Sequence, residues 1–337
     1  MNIVVPMAGM GKRLRPHTLT TPKPLIPIAG RPIVHWLVHD IVEVCEEKVE
    51  NIGFVIGPNF GKQVEAQLLN IAKELGAQGH IFYQEEALGT AHAIYCAEPL
   101  LNDKVIVAFA DTLFKAQFKL DAGKDAIIWV QKVADPSAFG VVKLNEEDQI
   151  VDFVEKPKEF VSDLAIIGIY YFKNGKALNQ EIKNLIDQDI KDSGEYQLTR
   201  VLKTLQQKGT GFYPGRVEEW LDCGNKIATV ETHRIYLEFI KHLPLESSSS
   251  NKDNTVIIPP VYIGENVNIK NSVVGPYVSI GDNTEVSESR IQNSIIQKDN
   301  IIKNANLANS MLGNFVTFEG RATDLSVGDY NTILNGG

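Results

Sequence analysis

Residues 1–39 read MNIVVPMAGMGKRLRPHTLTTPKPLIPIAGRPIVHWLVH, and they decide how the rest of the 337-residue chain is read. The apolar run Asn2-Ile3-Val4-Val5-Pro6-Met7 predicts a buried strand. A glycine-rich turn, Ala8-Gly9-Met10-Gly11-Lys12-Arg13, follows it directly. That order sets the turn at the carboxyl end of a strand, where open α/β sheets bind ligands and glycines let backbone N–H groups approach a phosphate or a base. The same segment holds Lys12, Arg13, Arg15, Lys23 and Arg31 and no Asp or Glu, so it carries +5 in a chain of formal net charge -9, leaving -14 elsewhere. A cationic cluster in an acidic chain suits a small anion. Nucleic acid would be repelled by the field of the whole molecule, and a solvated basic face is the alternative reading of the cluster.

Spacing adds to charge. Gly9-x-Gly11-x-Arg13-Leu14-x-Pro16, then Thr18, then Pro22-Lys23-x-Leu25-x-Pro27, resembles the opening of the sugar-1-phosphate nucleotidyltransferases, the glucose-1-phosphate thymidylyltransferases among them. These enzymes join a nucleoside triphosphate to a sugar 1-phosphate. Ala8 stands where many members have a further glycine, and Lys12 where threonine is usual. The turn's hold on the nucleotide is therefore open to change, and base preference is less defined than reaction class. The resemblance implies an α/β, Rossmann-like nucleotide-diphospho-sugar transferase fold with a mixed, mostly parallel sheet.

Strand, turn and helix alternate through the first part of the chain, as in a sheet covered on both faces. Residues 32–44 predict a helix with apolar positions at Ile33, Leu37, Ile41 and Val44. His35 and His39 lie four apart on it, but with no third ligand nearby they read as packing rather than metal ligation. Strands over 53–56 and 81–83 flank a helix near 62–75. The second strand runs into Gln84-Glu85-Glu86-Ala87-Leu88-Gly89-Thr90-Ala91, which in the resembling family reads the base: an amide offers both a donor and an acceptor to a pyrimidine edge, and glycine leaves room for the ring.

The apolar strand 105–110 ends in Asp111. An unpaired carboxylate beside a core is costly, and a divalent cation removes that cost; a helix N-cap is the other reading. Strand pairs follow, with 126–133, then 139–144 against 149–154, then 165–172. By the resemblance, Gly140, Glu155, Gly168 and Tyr170 belong to the sugar pocket, and Lys156 of Glu155-Lys156-Pro157 meets a phosphate. Helices are expected near 176–190 and 196–207, with Glu195, Gln197 and Thr199 approximating a family Glu-x-Gln-Leu-Thr motif. Trp220-Leu221-Asp222-Cys223-Gly224 resembles the motif that carries the second metal aspartate, and a helix near 227–243 ends the catalytic domain, 1–243.

The polar stretch 244–254 reads as a linker. Beyond it, over 255–337, Ile263-Gly264, Val274-Gly275, Ile280-Gly281, Leu312-Gly313 and Val327-Gly328 recur. Val267, Ile269, Val278, Val286, Ile291, Ile296, Ile301 and Leu307 fall between them at five- or six-residue steps. The pattern resembles the hexapeptide repeat of a left-handed parallel β-helix, with apolar residues pointing inward. Its spacing becomes irregular after Val286. No histidine follows His242, so the general base expected of an acyltransferase of this class is lacking. A structural role and homo-oligomer contacts are expected of this tail.

The implied reaction needs no protein nucleophile, because a phosphate monoester is already ionised at pH 7. Arg13, Lys23 and Lys156 are the expected catalytic cations. Ala8, Gly9, Gly11, Lys12, Gln84, Gly89 and Thr90 are expected to receive the nucleotide, and Asp111 and Asp222 to hold Mg2+. The expected substrates are dTTP or UTP with glucose 1-phosphate. A mannose-1-phosphate guanylyltransferase and a non-catalytic sugar-nucleotide sensor are the alternatives. Cys45, Cys96 and Cys223 have no metal-ligand spacing and suit a reducing cytoplasm, and no signal or membrane-spanning run is read, so a cytoplasmic enzyme is expected without membrane or nucleic-acid partners.

Overall fold

The computed structural model describes residues 1–116 and 119–321. The chain forms two compact units, Met1–Pro27 with Arg31–Thr232, and Ile28–Gly30 with His233 onward. No helix among the described residues is long and apolar enough to cross a membrane.

In the first unit β1 (Asn2–Pro6), α1 (Ile33–Val44), β2 (Asn51–Ile56), α2 (Lys62–Glu74), β3 (Gln78–Tyr83), α3 (Thr90–Tyr95) and β4 (Val105–Ala108) alternate. The four strands are parallel in the spatial order β3-β2-β1-β4. β1 is buried throughout, as a strand with neighbours on both sides and both faces covered must be. Because β2 lies on one side of it and β4 on the other, a crevice opens at their carboxyl ends. α1 buries Ile33, Leu37, Ile41 and Val44, the four positions its periodicity predicts. His35 and His39 stack at 6.4 Å, His35 sits edge-on to Trp36, and no metal-holding cluster of three such groups exists among the described residues.

β5 (Thr112–Lys115), β6 (Ala126–Lys132), β7 (Gly140–Leu144), β8 (Ile150–Glu155) and β9 (Leu164–Phe172) follow. β9 runs antiparallel to β4, so the sheet becomes mixed there and continues to β7 and β8. β9 also pairs with β6, across a bulge between Ile166 and Tyr170. α4 (Gly175–Asp187) and α5 (Leu198–Gln207) cover one face, and their Leu178, Ile182, Leu202 and Leu205 belong to the same buried cluster as Val4, Val55 and Val107. β10 (Phe212–Arg216) adds to β6 in parallel, and β11 (Glu219–Asp222) forms a separate antiparallel ribbon with β5. Since β5 follows Asp111 at once, there is no helix for that aspartate to cap. α6 (Lys226–Ile240) follows, its residues to Thr232 in the first unit and those from His233 in the second.

The second unit contains a parallel β-helix. Asn251–Asp253, Asn268–Lys270, Glu285–Ser287, Ile301–Lys303 and Thr317–Glu319 stack as one of its three sheets. Val267, Ile269, Val274, Val278, Ile280, Val286, Ile291, Ile296 and Ile302 fill its interior. The stretch expected to be a linker is already part of the first coil. Asn251–Asp253 pairs with Asn268–Lys270, Ser247 N–H donates to the Ile263 carbonyl, and Ser249 Oγ accepts from Asn266 N–H at 3.0 Å. Its serines serve corners rather than a flexible tether.

The irregularity after Val286 has a local cause. Three residues, 275–277, join the paired steps ending at Val274 and beginning at Val278, but only Gln292 and Asn293 join the equivalents Ile291 and Ser294. The shorter corner moves the inward row by one. Ile301 therefore pairs with Glu285 in an outward row and is 38% exposed, while Ile302 pairs with Val286 and is buried, which corrects the inward expectation for Ile301. Leu307 is half-buried against the core. Val327-Gly328 lies outside the described residues.

Candidate functional site

The glycine turn leaves β1 and is fastened from behind. Thr18 Oγ1 donates to the Gly11 carbonyl at 2.7 Å, and Lys23 N–H donates to the Met10 carbonyl at 3.2 Å. Gly11 has φ +83°, and a Cβ there would fall 2.6 Å from Lys23 Cβ, so two independent constraints demand glycine. Gly9 differs. Nothing lies within 4 Å of where its Cβ would be, so its backbone faces open space in the cleft. Lys12 and Arg13 are exposed and make no ion pair among the described residues. Lys23 is buried, with Nζ 3.6 Å from Asp111 Oδ2 and donating to the Asp111 carbonyl at 3.3 Å.

The β5–β11 ribbon brings the two aspartates to one edge. Asp222 pairs with Thr112, one residue past Asp111, and Trp220 Nε1 donates to Thr112 Oγ1 within the ribbon. Asp222 Oδ1 accepts from Gly224 N–H at 2.8 Å, and its carbonyl accepts from Thr232 Oγ1 at 2.6 Å, which fixes the turn. Both carboxylates remain exposed. Neighbouring Cys223 is fully buried, and burial pushes its thiol up to about 12, so it is inert at neutral pH.

Past β3, Gln84 Nε2 donates to the Gly89 carbonyl at 3.3 Å and lies 3.2 Å from His92 Nδ1. Gly89 has φ +114°, and a Cβ would lie 2.6 Å from the Tyr196 carbonyl oxygen. Glycine is therefore needed here for contact between backbones, whereas the sequence reading assigned it to ligand room. Thr90 Oγ1 accepts from Leu198 N–H at 3.0 Å, tying this loop to the start of α5.

At the far end Gly140 pairs with Glu155, whose Oε2 would sit 3.1 Å from a Cβ on Gly140. Gly168, at φ +84°, forms the bulge in β9 and accepts at its carbonyl from Phe109 N–H at 2.9 Å. Tyr170 stands edge-on to Phe109 at 6.2 Å; burial, and then the charges of Glu155 and Asp111, raise its pKa.

All these groups line one cleft of about 920 Å³: Ala8, Gly9, Gly11, Lys12, Arg13 and Lys23, then Gln84, Gly89, Thr90, Asp111 and Asp222, then Gly140, Glu155, Gly168 and Tyr170. Lys156 is the expected residue that does not line it. Its side chain is 68% exposed, with Nζ 3.8 Å from Glu155 Oε1. The cleft also takes in Glu195, Gln197 and Thr199, whose approximate motif was visible in the sequence, and Phe139 packed edge-on against Trp220 at 5.0 Å, for which no sequence signal stood out.

The chain is 31% identical over 272 residues to the bifunctional protein GlmU of Methanococcus maripaludis, covering 80% of this chain and 62% of that one. It therefore spans less than two thirds of that relative's length. It is 28% identical to a glucose-1-phosphate thymidylyltransferase of Streptomyces antibioticus, over 80% of this chain and 74% of the relative. Identity to the mannose-1-phosphate guanylyltransferase catalytic subunit beta of Drosophila melanogaster is 30%, over 77% and 70%. A Bacillus anthracis crystal structure described as a glucose-1-phosphate thymidylyltransferase with sucrose shares the fold, with a TM-score of 0.59 and 24% identity over 69% of this chain and 94% of that one. The Nucleotidyl transferase family profile matches residues 3–238, a range that includes every residue lining the cleft, and the chain belongs to that family.

Proposed function

We propose that the protein transfers a nucleotidyl group from a nucleoside triphosphate to a sugar 1-phosphate, releasing pyrophosphate, with dTTP or UTP and glucose 1-phosphate as the preferred pair. The observation that carries this reading is the meeting of Lys12, Arg13 and Lys23 with Asp111 and Asp222 in one cleft large enough for a nucleotide and a sugar. A sugar phosphate oxygen attacks the α-phosphorus in line, and pyrophosphate leaves opposite. The protein's work is then to position both reactants and to stabilise charge.

Arg13 and Lys12, exposed and without counter-ions among the described residues, neutralise the triphosphate and the departing pyrophosphate. Lys23 holds a buried positive charge at the α-phosphate. Lys156, at the rim, reaches the sugar phosphate by turning its exposed side chain away from Glu155. Gly9, Gly11, Gln84, Gly89 and Thr90 receive the nucleotide. Glu155 accepts sugar hydroxyls beside Gly140, Gly168 and Tyr170. Two exposed carboxylates side by side suit Mg2+, which takes one or two such ligands and completes its shell with water and phosphate oxygens. When bound there it would offset charge on the phosphate oxygens. The β-helix serves as the contact surface of a homo-oligomer, and acetyl-CoA consumption with an amino sugar phosphate would refute the assignment of a purely structural role.

Five triphosphates assayed against glucose, mannose, galactose and N-acetylglucosamine 1-phosphates, with pyrophosphate release as readout, test the reading. The expected best pair is dTTP or UTP with glucose 1-phosphate. The likeness to the Drosophila subunit favours one second reading, a guanylyltransferase, which predicts GTP with mannose 1-phosphate instead. Folded protein that binds sugar nucleotides yet releases no pyrophosphate with any pair would reject both.

A further inference from the structure

The Gly89 carbonyl can only accept, so the Gln84 atom 3.3 Å from it is the amide nitrogen. That nitrogen also lies 3.2 Å from His92 Nδ1. With Gln84 donating, this ring nitrogen must accept, and the neutral ring carries its proton on Nε2. Burial lowers the His92 pKa, against a smaller opposing effect of Glu86, so the ring is neutral at pH 7 and keeps the lone pair that the contact needs. Both amide protons of Gln84 are then occupied. Its Oε1, which has no hydrogen-bond partner among the described residues, is the part of the carboxamide left for a ligand in the cleft.

We propose that His92 is a positioning residue that locks the Gln84 carboxamide as a hydrogen-bond acceptor, so that the site selects a nucleobase presenting a ring N–H. The inference rests on the nucleotidyl-transfer reading for the presence of a base at this end of the cleft. Uracil and thymine offer N3–H, and guanine N1–H. Cytosine and adenine present an unprotonated ring nitrogen at the equivalent edge, and its lone pair would face that of Oε1. Two acceptors are needed for the lock, because the last torsion of a glutamine is broad and one partner leaves it room to turn. Without His92 the second amide proton is free to point into the cleft, where it could donate to cytosine N3.

The test compares His92→Ala with His92→Asn, whose carboxamide oxygen can accept from the same direction as Nδ1. In steady-state assays His92→Ala is expected to raise the KM for the preferred triphosphate about tenfold and to narrow its preference over CTP by a similar factor, the scale of one oriented hydrogen bond. The KM for the sugar phosphate should not move, and His92→Asn should recover most of the loss. Unchanged nucleotide KM and unchanged discrimination in His92→Ala, or an Asn variant no better than Ala, would overturn the proposal. So would a wild-type preference for CTP or ATP, with transfer itself intact. Calorimetric binding of the same triphosphates without sugar phosphate separates the two readings. If wild-type protein binds nucleotides but turns none over, the transferase reading fails, and the shift in Kd between the variants still decides the role of His92.

Discussion

Asp222 stands opposite Thr112 in the β5–β11 ribbon, so it meets Asp111 at one edge of the cleft although the two are far apart in sequence. Asp222 supports no buried charge among the described residues, whereas Asp111 faces the buried Lys23 Nζ at 3.6 Å. Asp111 is 60% exposed, and an asparagine at 222 keeps the oxygen that accepts from Gly224 N–H. Asp222→Asn should therefore leave the thermal midpoint near that of wild type, while Asp111→Asn, which takes the counter-charge from buried Lys23, should lower it; both should cut turnover at least ~100-fold, the scale of losing one transition-state charge contact. Pyrophosphate release measured beside a melting curve decides this, and near-normal turnover in either variant would remove that carboxylate from the proposed metal site.

Gly9 and Gly11 make a matched pair for separating a fold requirement from a ligand requirement. Alanine at 11 is strained by φ +83° and strikes Lys23 Cβ at 2.6 Å, so Gly11→Ala should destabilise by about 1–3 kcal/mol and lower activity as well. Alanine at 9 meets nothing. Gly9→Ala should therefore melt as wild type does while its KM for triphosphate rises, because the added methyl occupies space the nucleotide needs. Equal melting temperatures for both variants, or an unchanged nucleotide KM in Gly9→Ala, would contradict the assignment.

What could be read from the residues was local. Apolar runs marked β1, β2 and β4, and helical spacing marked α1. The glycine turn and both aspartates were visible because their neighbours form short motifs. Pairing between distant segments was not visible. Nothing in Thr112–Lys115 announces Glu219–Asp222 as its partner, and Gly89 looks like ligand space until Tyr196 is found against it. In the β-helix the corner at Gln292 and Asn293 is one residue short, which moved Ile301 outward and Ile302 inward, a shift that pattern spacing cannot locate by itself. Composition misled once, at the serines of 247–250, because small hydroxyl residues suit tight corners as well as they suit linkers.

The corners of the β-helix depend on asparagine for backbone conformation and for hydrogen bonding together. Asn266, Asn283 and Asp299 occupy one column, all with positive φ, and Asn283 both accepts from Asn266 Nδ2 at 3.2 Å and donates to Asp299 Oδ1 at 3.0 Å. Alanine at 283 would keep the left-handed strain and lose both bonds, so Asn283→Ala should destabilise by about 1–2 kcal/mol. Glycine relieves the strain alone, and Asn283→Gly should lose less. Urea unfolding of the two variants gives the order; if glycine proved the more damaging, conformational preference would not be what selects asparagine here.

His233 makes the stability of the second unit depend on pH. Its ring is fully buried, with Nδ1 accepting from Ala29 N–H at 3.0 Å, and burial pulls its pKa down to about 3. In the unfolded chain a histidine titrates near 6.5. Between those two values the unfolded state binds a proton that the native state refuses, so stability is complete above pH 6.5 and falls as the pH is lowered towards 3. At pH 4.5 this amounts to about 2–3 kcal/mol. His233→Asn keeps an acceptor for Ala29 without a titrating ring, so carboxylates shared by both proteins cancel in the comparison. Urea midpoints at pH 7 and pH 4.5 should therefore converge, with the wild type losing more than the variant on acidification. Parallel losses in the two proteins would mean that the native ring accepts its proton in place, and that its burial does not oppose the charge.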